Sequence, residues 1–423
     1  MIIVNNPYRA YEDVLDCWKE MSSLSSNFAN DFRGLIDWCA RNGRIDRYHR
    51  QEFGMSVEPY GADLPEYISA DERVEVLTNH AMSVVEPALN HWQWLYQKLR
   101  DWDSKVLLLT VVAYRCLGWR YVRMPLDTPA FWSCMDALSE VEKDGPALGA
   151  SLQKLSPYPM RLFDLSADGA DLKIYSNAFG VFNEFVYSQY TLRSRDGVTS
   201  PKAGDVVLDC GACYGGTSLQ FAKAVGDKGT VVAYEFMPGN VEIFKENMRL
   251  NPQLARSVRL MERPVWHETG ASMSVEGSGP ATQVFIDEPG HAPASSAQKF
   301  ASITIDETVK VMGLPRVDFI KMDIEGAEMM ALRGARRTIE RDRPNMAICV
   351  YHKLIDFYEI PQFIDSLGLG YVFSMQHSTV HGDETVVFAT VNDHERVVSK
   401  FWPASNLRWL KYKYKSKIRR LRR

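Results

Sequence analysis

The chain has 423 residues, 46% of them hydrophobic and 24% charged, with a formal net charge of −4 at neutral pH. That length leaves room for two domains, and the composition excludes wholesale disorder. The balance of charge argues against a broad nucleic-acid face, and the longest apolar run, 106–112, falls far short of the roughly 20 residues a bilayer span needs.

Read from the start, 11–20 and 27–41 carry apolar residues at helical spacing, with Ser and Asn clusters between them. Residues 71–99 read as one or two long helices, 102–117 as a buried helix, 124–129 as a turn-rich seam and 131–141 as a short helix. Segments 156–165 and 169–180 look like a loop-rich bridge, followed by a helix over 184–192 and a turn at 201–204.

From there strand and helix alternate, which predicts a mostly parallel sheet. The strands are 205–208, 230–234, 257–262, 317–322 and 346–351, with helices at 217–225, 238–250 and 326–342. A Gly-, Ser- and Pro-rich stretch, 270–302, predicts an excursion with a short hairpin, and 371–375 and 385–391 close the sheet as a hairpin. The expected fold class is α/β, a doubly wound, mostly parallel seven-stranded sheet with a helical N-terminal domain. Its expected divisions are 1–169 helical, 170–392 cofactor-binding and 393–423 a basic tail.

The cysteines, seven and scattered, and an N-terminus without a leader pattern predict free thiols in a reducing cytoplasm. Cys210 and Cys213 have C-x-x-C spacing, but no second pair accompanies them, so zinc and redox roles are disfavoured. From Arg408 to Arg423 there are nine basic residues and no acid, so the rest of the chain is acidic. Such a tail suits a peripheral membrane surface or an acidic partner, and is equally a solvated terminus.

Two constellations carry chemistry. In the first, Asp209-Cys210-Gly211-Ala212-Cys213-Tyr214-Gly215-Gly216 joins a strand to a helix, and the next strand ends in Glu235. Strand, glycine turn, helix and strand closed by an acid form a unit that binds an adenosine-containing cofactor at the carboxyl edge of a parallel sheet. Glu235 is placed to take both ribose hydroxyls. A dinucleotide turn would want glycine where Cys213 stands, and Asp209 would repel a pyrophosphate. Asp209 suits the cationic amino group of S-adenosylmethionine (SAM), which favours SAM over NAD.

In the second, Asp323, Glu325 and Glu328 crowd the point where an apolar strand becomes a helix, and His352 follows the next strand. Glu328 also has a plainer role, complementing the helix dipole. Asp323, Glu325 and His352 are the candidate catalytic residues, with His352 preferred as general base because imidazole titrates nearest neutral pH. Mg²⁺ on Asp323 and Glu325 is the less favoured alternative.

Together the two constellations resemble the FkbM-type methyltransferases, SAM-dependent enzymes of doubly wound α/β fold. The resemblance spans about 189–391 and rests on 204–212, Glu235 with Pro238, Asn247, Ile305-Asp306 and above all Asp318-Phe319-Ile320-Lys321-Met322-Asp323-Ile324-Glu325-Gly326-Ala327-Glu328. Two departures stand out: Phe236-Met237 intervene before Pro238, and the first 170 residues lie outside the resemblance.

The resemblance implies methyl transfer to oxygen, commonly on sugars or polyketide-type metabolites, and the expected acceptor is a sugar in a glycan or polysaccharide precursor. In the implied cofactor pocket Gly211, Ala212, Cys213 and Gly215 form the floor, Phe236 packs by the adenine, Val265 follows the third strand and Tyr190 closes the pocket. Competing readings are an NAD-dependent oxidoreductase and a non-catalytic scaffold that keeps the methyltransferase fold.

Overall fold

The computed structural model describes residues 24–42, 69–165, 172–194, 197–276, 283–286 and 298–391. The helix expected at 11–20 and the basic tail lie outside them, as does most of 270–302.

The first helices form by local signals. Helix α1 (Phe28–Asn42) and α2 (Ala70–Val85) are followed by α3 (Leu89–Lys98), and a 3-10 turn at Glu86–Ala88 holding Pro87 separates α2 from α3. Ser69 and Glu72 form a reciprocal capping box at the start of α2. Helix α4 (Trp102–Leu117) starts at Asp101, which accepts from Ser104 N–H, and is apolar almost all round because it is buried almost all round. Helix α5 (Pro129–Asp144) has Thr128 as its cap and Pro at its first position.

The bridge that reads as loop is instead a hairpin, β1 (Arg161–Asp164) antiparallel to β2 (Lys173–Ser176). The helix expected at 184–192 begins earlier. It is α6, an α-turn Ala178–Val181 running into a π-turn Phe182–Tyr187, and it stops at Ser188, which is left-handed at φ 59°. A small hairpin, β3 (Leu192–Ser194) with β4 (Gly197–Thr199), leads into the sheet.

The sheet is built from β5 (Val206–Cys210), β6 (Thr230–Tyr234), β7 (Val258–Met261), β11 (Phe319–Met322), β12 (Asn345–Cys349), β13 (Val372–His377) and β14 (Thr385–Thr390). Between β7 and β11, β8 (Ser272–Glu276) pairs with β9 (Gln283–Ile286) and β10 (Gln298–Ala301) in a separate three-stranded sheet. Strand order in the main sheet is β13-β14-β12-β11-β5-β6-β7, with only β14 running antiparallel to its neighbours.

Helices α7 (Gly216–Val225), α8 (Pro238–Leu250), α9 (Ile305–Val311), α10 (Glu328–Arg333), α11 (Arg336–Asp342) and α12 (Asp356–Ser366) flank the sheet. The helix expected over 326–342 is broken in two at Gly334, whose α-carbon lies so close to the Trp266 carbonyl that a Cβ would come within 2.1 Å of it.

The N-terminal helices share one core with the sheet. Phe28 stacks on Trp92, which meets Phe357 of α12 tilted and Tyr358 edge-on; Arg100 N–H donates to the Phe373 carbonyl, and Met375 N–H donates to Ser104 Oγ. Among the described residues no helix is long and apolar enough to cross a membrane. Sheet order reverses between β5 and β11, so their carboxyl ends form the crevice where open α/β sheets take their ligands.

Candidate active site

Lys321 and Asp209 are register partners on β11 and β5, and their contact organises the crevice. Lys321 is 2% exposed and Asp209 is fully buried, with 3.2 Å between Nζ and Oδ1. Lys321 also donates to the Gly211 carbonyl at 2.7 Å and the Cys210 carbonyl at 3.2 Å, while Ser218 Oγ donates to Asp209 Oδ2 at 2.5 Å. Burial works against the lysine's charge, but Asp209 and Asp323 outweigh it and hold Lys321 above its ordinary value. Asp209 therefore faces the interior and braces the glycine turn, whereas the sequence suggests a carboxylate open to the cofactor.

The turn itself needs its glycines. Gly211 has φ +84°, and a Cβ there would fall 1.8 Å from the Asp323 carbonyl oxygen. Gly211 and Ala212 N–H both donate to the Tyr234 carbonyl, which ties the turn to the tip of β6. Cys213 is left-handed at φ 46°, Gly215 at φ 86°, and Asn247 holds the Tyr214 carbonyl at 2.8 Å.

Glu184 of α6 lies directly on Gly216, where a Cβ would come within 1.8 Å of its Oε2, and it accepts from Thr217 N–H at the start of α7. Burial pushes its carboxyl up to about 8, Lys321 opposing and Asp209 adding to the shift. It lines a cavity of about 1040 Å³ together with Tyr190, Gly211, Ala212, Cys213, Lys321 and Asp323.

Glu235 closes β6 at 6% exposure. Its Oε1 accepts from Phe236 and Met237 N–H at 2.7 and 2.8 Å, and its Oε2 from Asn240 Nδ2 at 3.3 Å. Burial raises its pKa and these donors only partly restore it. Phe236 meets Phe300 edge-on with centroids 5.0 Å apart. Val265, 5% exposed, forms a parallel bridge with Ile303 inside the core. Glu235, Phe236 and Val265 thus stand along the β6–β7 side, outside the lining of the large cavity.

On the β11–β12 side Asp323 is held by two phenols, Tyr190 donating to Oδ2 at 2.8 Å and Tyr351 to Oδ1 at 3.0 Å. Burial works against its charge, yet Lys321, His352 and the two phenols hold it below the usual carboxylate range. Glu325 follows in a left-handed turn at φ 58°, and burial with Asp323 nearby pushes its carboxyl up to about 8.

His352 is ringed by acids. Nδ1 is 3.1 Å from Glu328 Oε1, and Nε2 is 3.5 Å from both Asp323 Oδ1 and Glu325 Oε2. Burial would lower its pKa, but Glu328, Asp323 and Glu325 carry it up to about 10. Those acids favour the protonated ring as long as no other cation stands among them, the opposite of what the expected general base needs. Asp323, Glu328 and His352 each present one donor atom within 4.8 Å of the others, a set able to hold a metal ion.

Sequence reasoning brought the right strand tips together but assigned no role to Lys321, Glu184 or Tyr351. A lysine inside an otherwise apolar buried strand was the signal available for the first; for Glu184, on an irregular helix, there was none.

Residues 209–373 match the family model of the methyltransferase FkbM domain. No curated protein matches the chain. Among solved structures the chain is similar to methyltransferase FkbM from Methylobacillus flagellatus KT, at 18% identity over 76% of this chain and 65% of that one, with a TM-score of 0.45. It thus spans less than two-thirds of that protein's length. It is also similar to a SAM-dependent methyltransferase from Aquifex aeolicus (15% identity, 54% of this chain and 100% of that chain, TM-score 0.28) and to Aeropyrum pernix fibrillarin in complex with natively bound SAM (14%, 52% and 90%, TM-score 0.29). The family match falls on the glycine turn and the acidic strand tips alike, so residues 209–373 of this chain match the methyltransferase FkbM domain.

Proposed function

We propose that the enzyme methylates a hydroxyl of a neutral sugar, in a glycan or polysaccharide precursor. The observation that carries this reading is the acceptor side of the cavity, where Asp323, Glu325, Tyr351, Asp383 and Glu384 converge. Carboxylates and phenols are hydrogen-bond acceptors for a polyol, and the same acids repel a phosphate at the reacting position.

The cofactor's fit rests on the turn, where the Asp323 backbone fills the space a side chain at Gly211 would take and the Glu184 carboxylate fills the space at Gly216. Gly211, Ala212, Cys213 and Gly215 would form its floor, Glu235 would take the ribose hydroxyls with its remaining lone pairs, and Phe236 would face the adenine. Since Asp209 is spent on Lys321, Glu184 is the carboxylate left beside the turn for the amino group of the methionine part. Bound there, SAM supplies a methyl group already activated by its sulfonium.

The chain's own task is to hold the acceptor oxygen in line and receive its proton. Both oxygens of Asp323 accept from tyrosines, so it orients the acceptor. Glu325 has its carboxylate on the cavity wall and 35% of its side chain exposed, so it is assigned the proton. Incubating the full chain with methyl-labelled SAM and a panel of neutral and phosphorylated sugars, then locating the label, tests the reading. Label on a hydroxyl of a neutral sugar supports it; turnover confined to phosphorylated or non-sugar acceptors refutes it.

A further inference from the structure

The acids around His352 are arranged for more than an ion pair. Strands β11 and β12 are parallel neighbours, with Met322 opposite Ile348, so Asp323 and His352 emerge side by side at their ends. The left-handed residues Glu325 (φ 58°) and Gly326 (φ 88°) turn the chain back sharply, so that α10 begins with Glu328 at the same spot. Ile324 N–H donates to Glu328 Oε1 at 2.8 Å and fixes that side chain, while Tyr190 and Tyr351 fix Asp323.

Three polar atoms of this cluster are left over. Glu328 is fully buried and its Oε2 has no hydrogen-bond partner. The His352 side chain is 9% exposed, and neither ring nitrogen makes a hydrogen bond, although carboxylate oxygens stand 3.1–3.5 Å away. Buried polar atoms without partners are destabilising, and a cluster that keeps three of them together is short of a cation.

We propose that Asp323, Glu328 and His352 bind one divalent transition-metal ion, with Glu325 at its open side. The donors lie within 4.8 Å of one another, so small side-chain movements bring them to coordination distance. One imidazole among carboxylates suits Mn²⁺, Fe²⁺ or Zn²⁺ better than Mg²⁺ or Ca²⁺, which prefer oxygen alone. The phenols on Asp323 and the amide on Glu328 are the outer contacts such ligands usually have. Asp323 and Glu325 also line the cavity, so the ion's remaining positions face the acceptor. That it serves methyl transfer by binding the acceptor oxygen rests on the function proposed above; the ion site itself does not.

The test is equilibrium dialysis of the chelator-treated full chain against Mn²⁺ or Zn²⁺ alone, beside a titration with S-adenosylhomocysteine. One ion per chain is expected, tighter than Mg²⁺, with affinity falling at least tenfold in both Glu328→Gln and His352→Gln. Thermal midpoints should rise with Zn²⁺ in the wild type and stay level in His352→Gln. S-adenosylhomocysteine affinity should be unchanged in both variants, so loss of the ion site is separable from loss of the cofactor site. Absence of stoichiometric binding, equal binding by wild type and both variants, or a preference for Mg²⁺ overturns the proposal.

Discussion

Replacing Lys321 by methionine probes the joint on which the cofactor side of the site is built. The lysine gives up an ion pair at 3.2 Å with a fully buried Asp209 and two hydrogen bonds to the carbonyls of Cys210 and Gly211. Breaking a buried pair from one side typically costs about 3–5 kcal/mol, because the surviving charge is stranded. Lys321→Met should therefore lose about that much in urea unfolding, and Asp209→Asn somewhat less, since Ser218 can still donate to it. The double variant strands no charge, so its loss should fall short of the sum by up to about 3 kcal/mol. Each single variant should also weaken S-adenosylhomocysteine binding, because the Gly211 carbonyl is no longer tethered. A loss under about 1 kcal/mol for Lys321→Met, or strictly additive losses, would refute the joint.

Gly216→Ala should cost about 1–3 kcal/mol of stability, because its Cβ would fall 1.8 Å from Glu184 Oε2 and push that buried carboxylate off Thr217 N–H, and should weaken S-adenosylhomocysteine binding several-fold; calorimetry with urea unfolding checks both halves. Glu184 predicts a pH dependence of definite sign. With its folded value raised to about 8, it contributes stability that is full below the unfolded carboxylate value and lost as pH rises through about 8, so Glu184→Gln should flatten that decline in thermal scans between pH 5 and 9. Because an ammonium partner favours the charged carboxylate, S-adenosylhomocysteine affinity should climb from pH 6 to 7.5, by at most about tenfold per unit, and Glu184→Gln should remove the climb. Tyr190→Phe frees one oxygen of Asp323 and should cost about 1–2 kcal/mol in kcat/KM, with S-adenosylhomocysteine affinity kept within twofold by calorimetry.

The sheet was legible because its parallel strands are continuous apolar runs between turn residues, as 317–322 and 346–351 show. The glycine turn was legible because its residue types serve one backbone shape. The β1–β2 hairpin was not: each strand has four residues, and a strand so short carries too little alternation to stand out from loop. Helix 326–342 concealed its break because the reason for it, the Trp266 carbonyl against Gly334, comes from sixty-eight positions earlier in the chain. The same limit governed the site. Asp209 reads as a free carboxylate until β5 and β11 are placed in register, and His352 reads as a neutral base until the turn at Glu325 and Gly326 carries Glu328 back beside it.

Calorimetric titration of the full chain with S-adenosylhomocysteine and, separately, with NAD tests the cofactor assignment most directly, using Glu235→Ala as the probe of the ribose contact. One S-adenosylhomocysteine per chain in the micromolar range, at least tenfold weaker in Glu235→Ala, with no heat from NAD, is the predicted result. Binding of NAD alone, or S-adenosylhomocysteine affinity indifferent to Glu235, would contradict it.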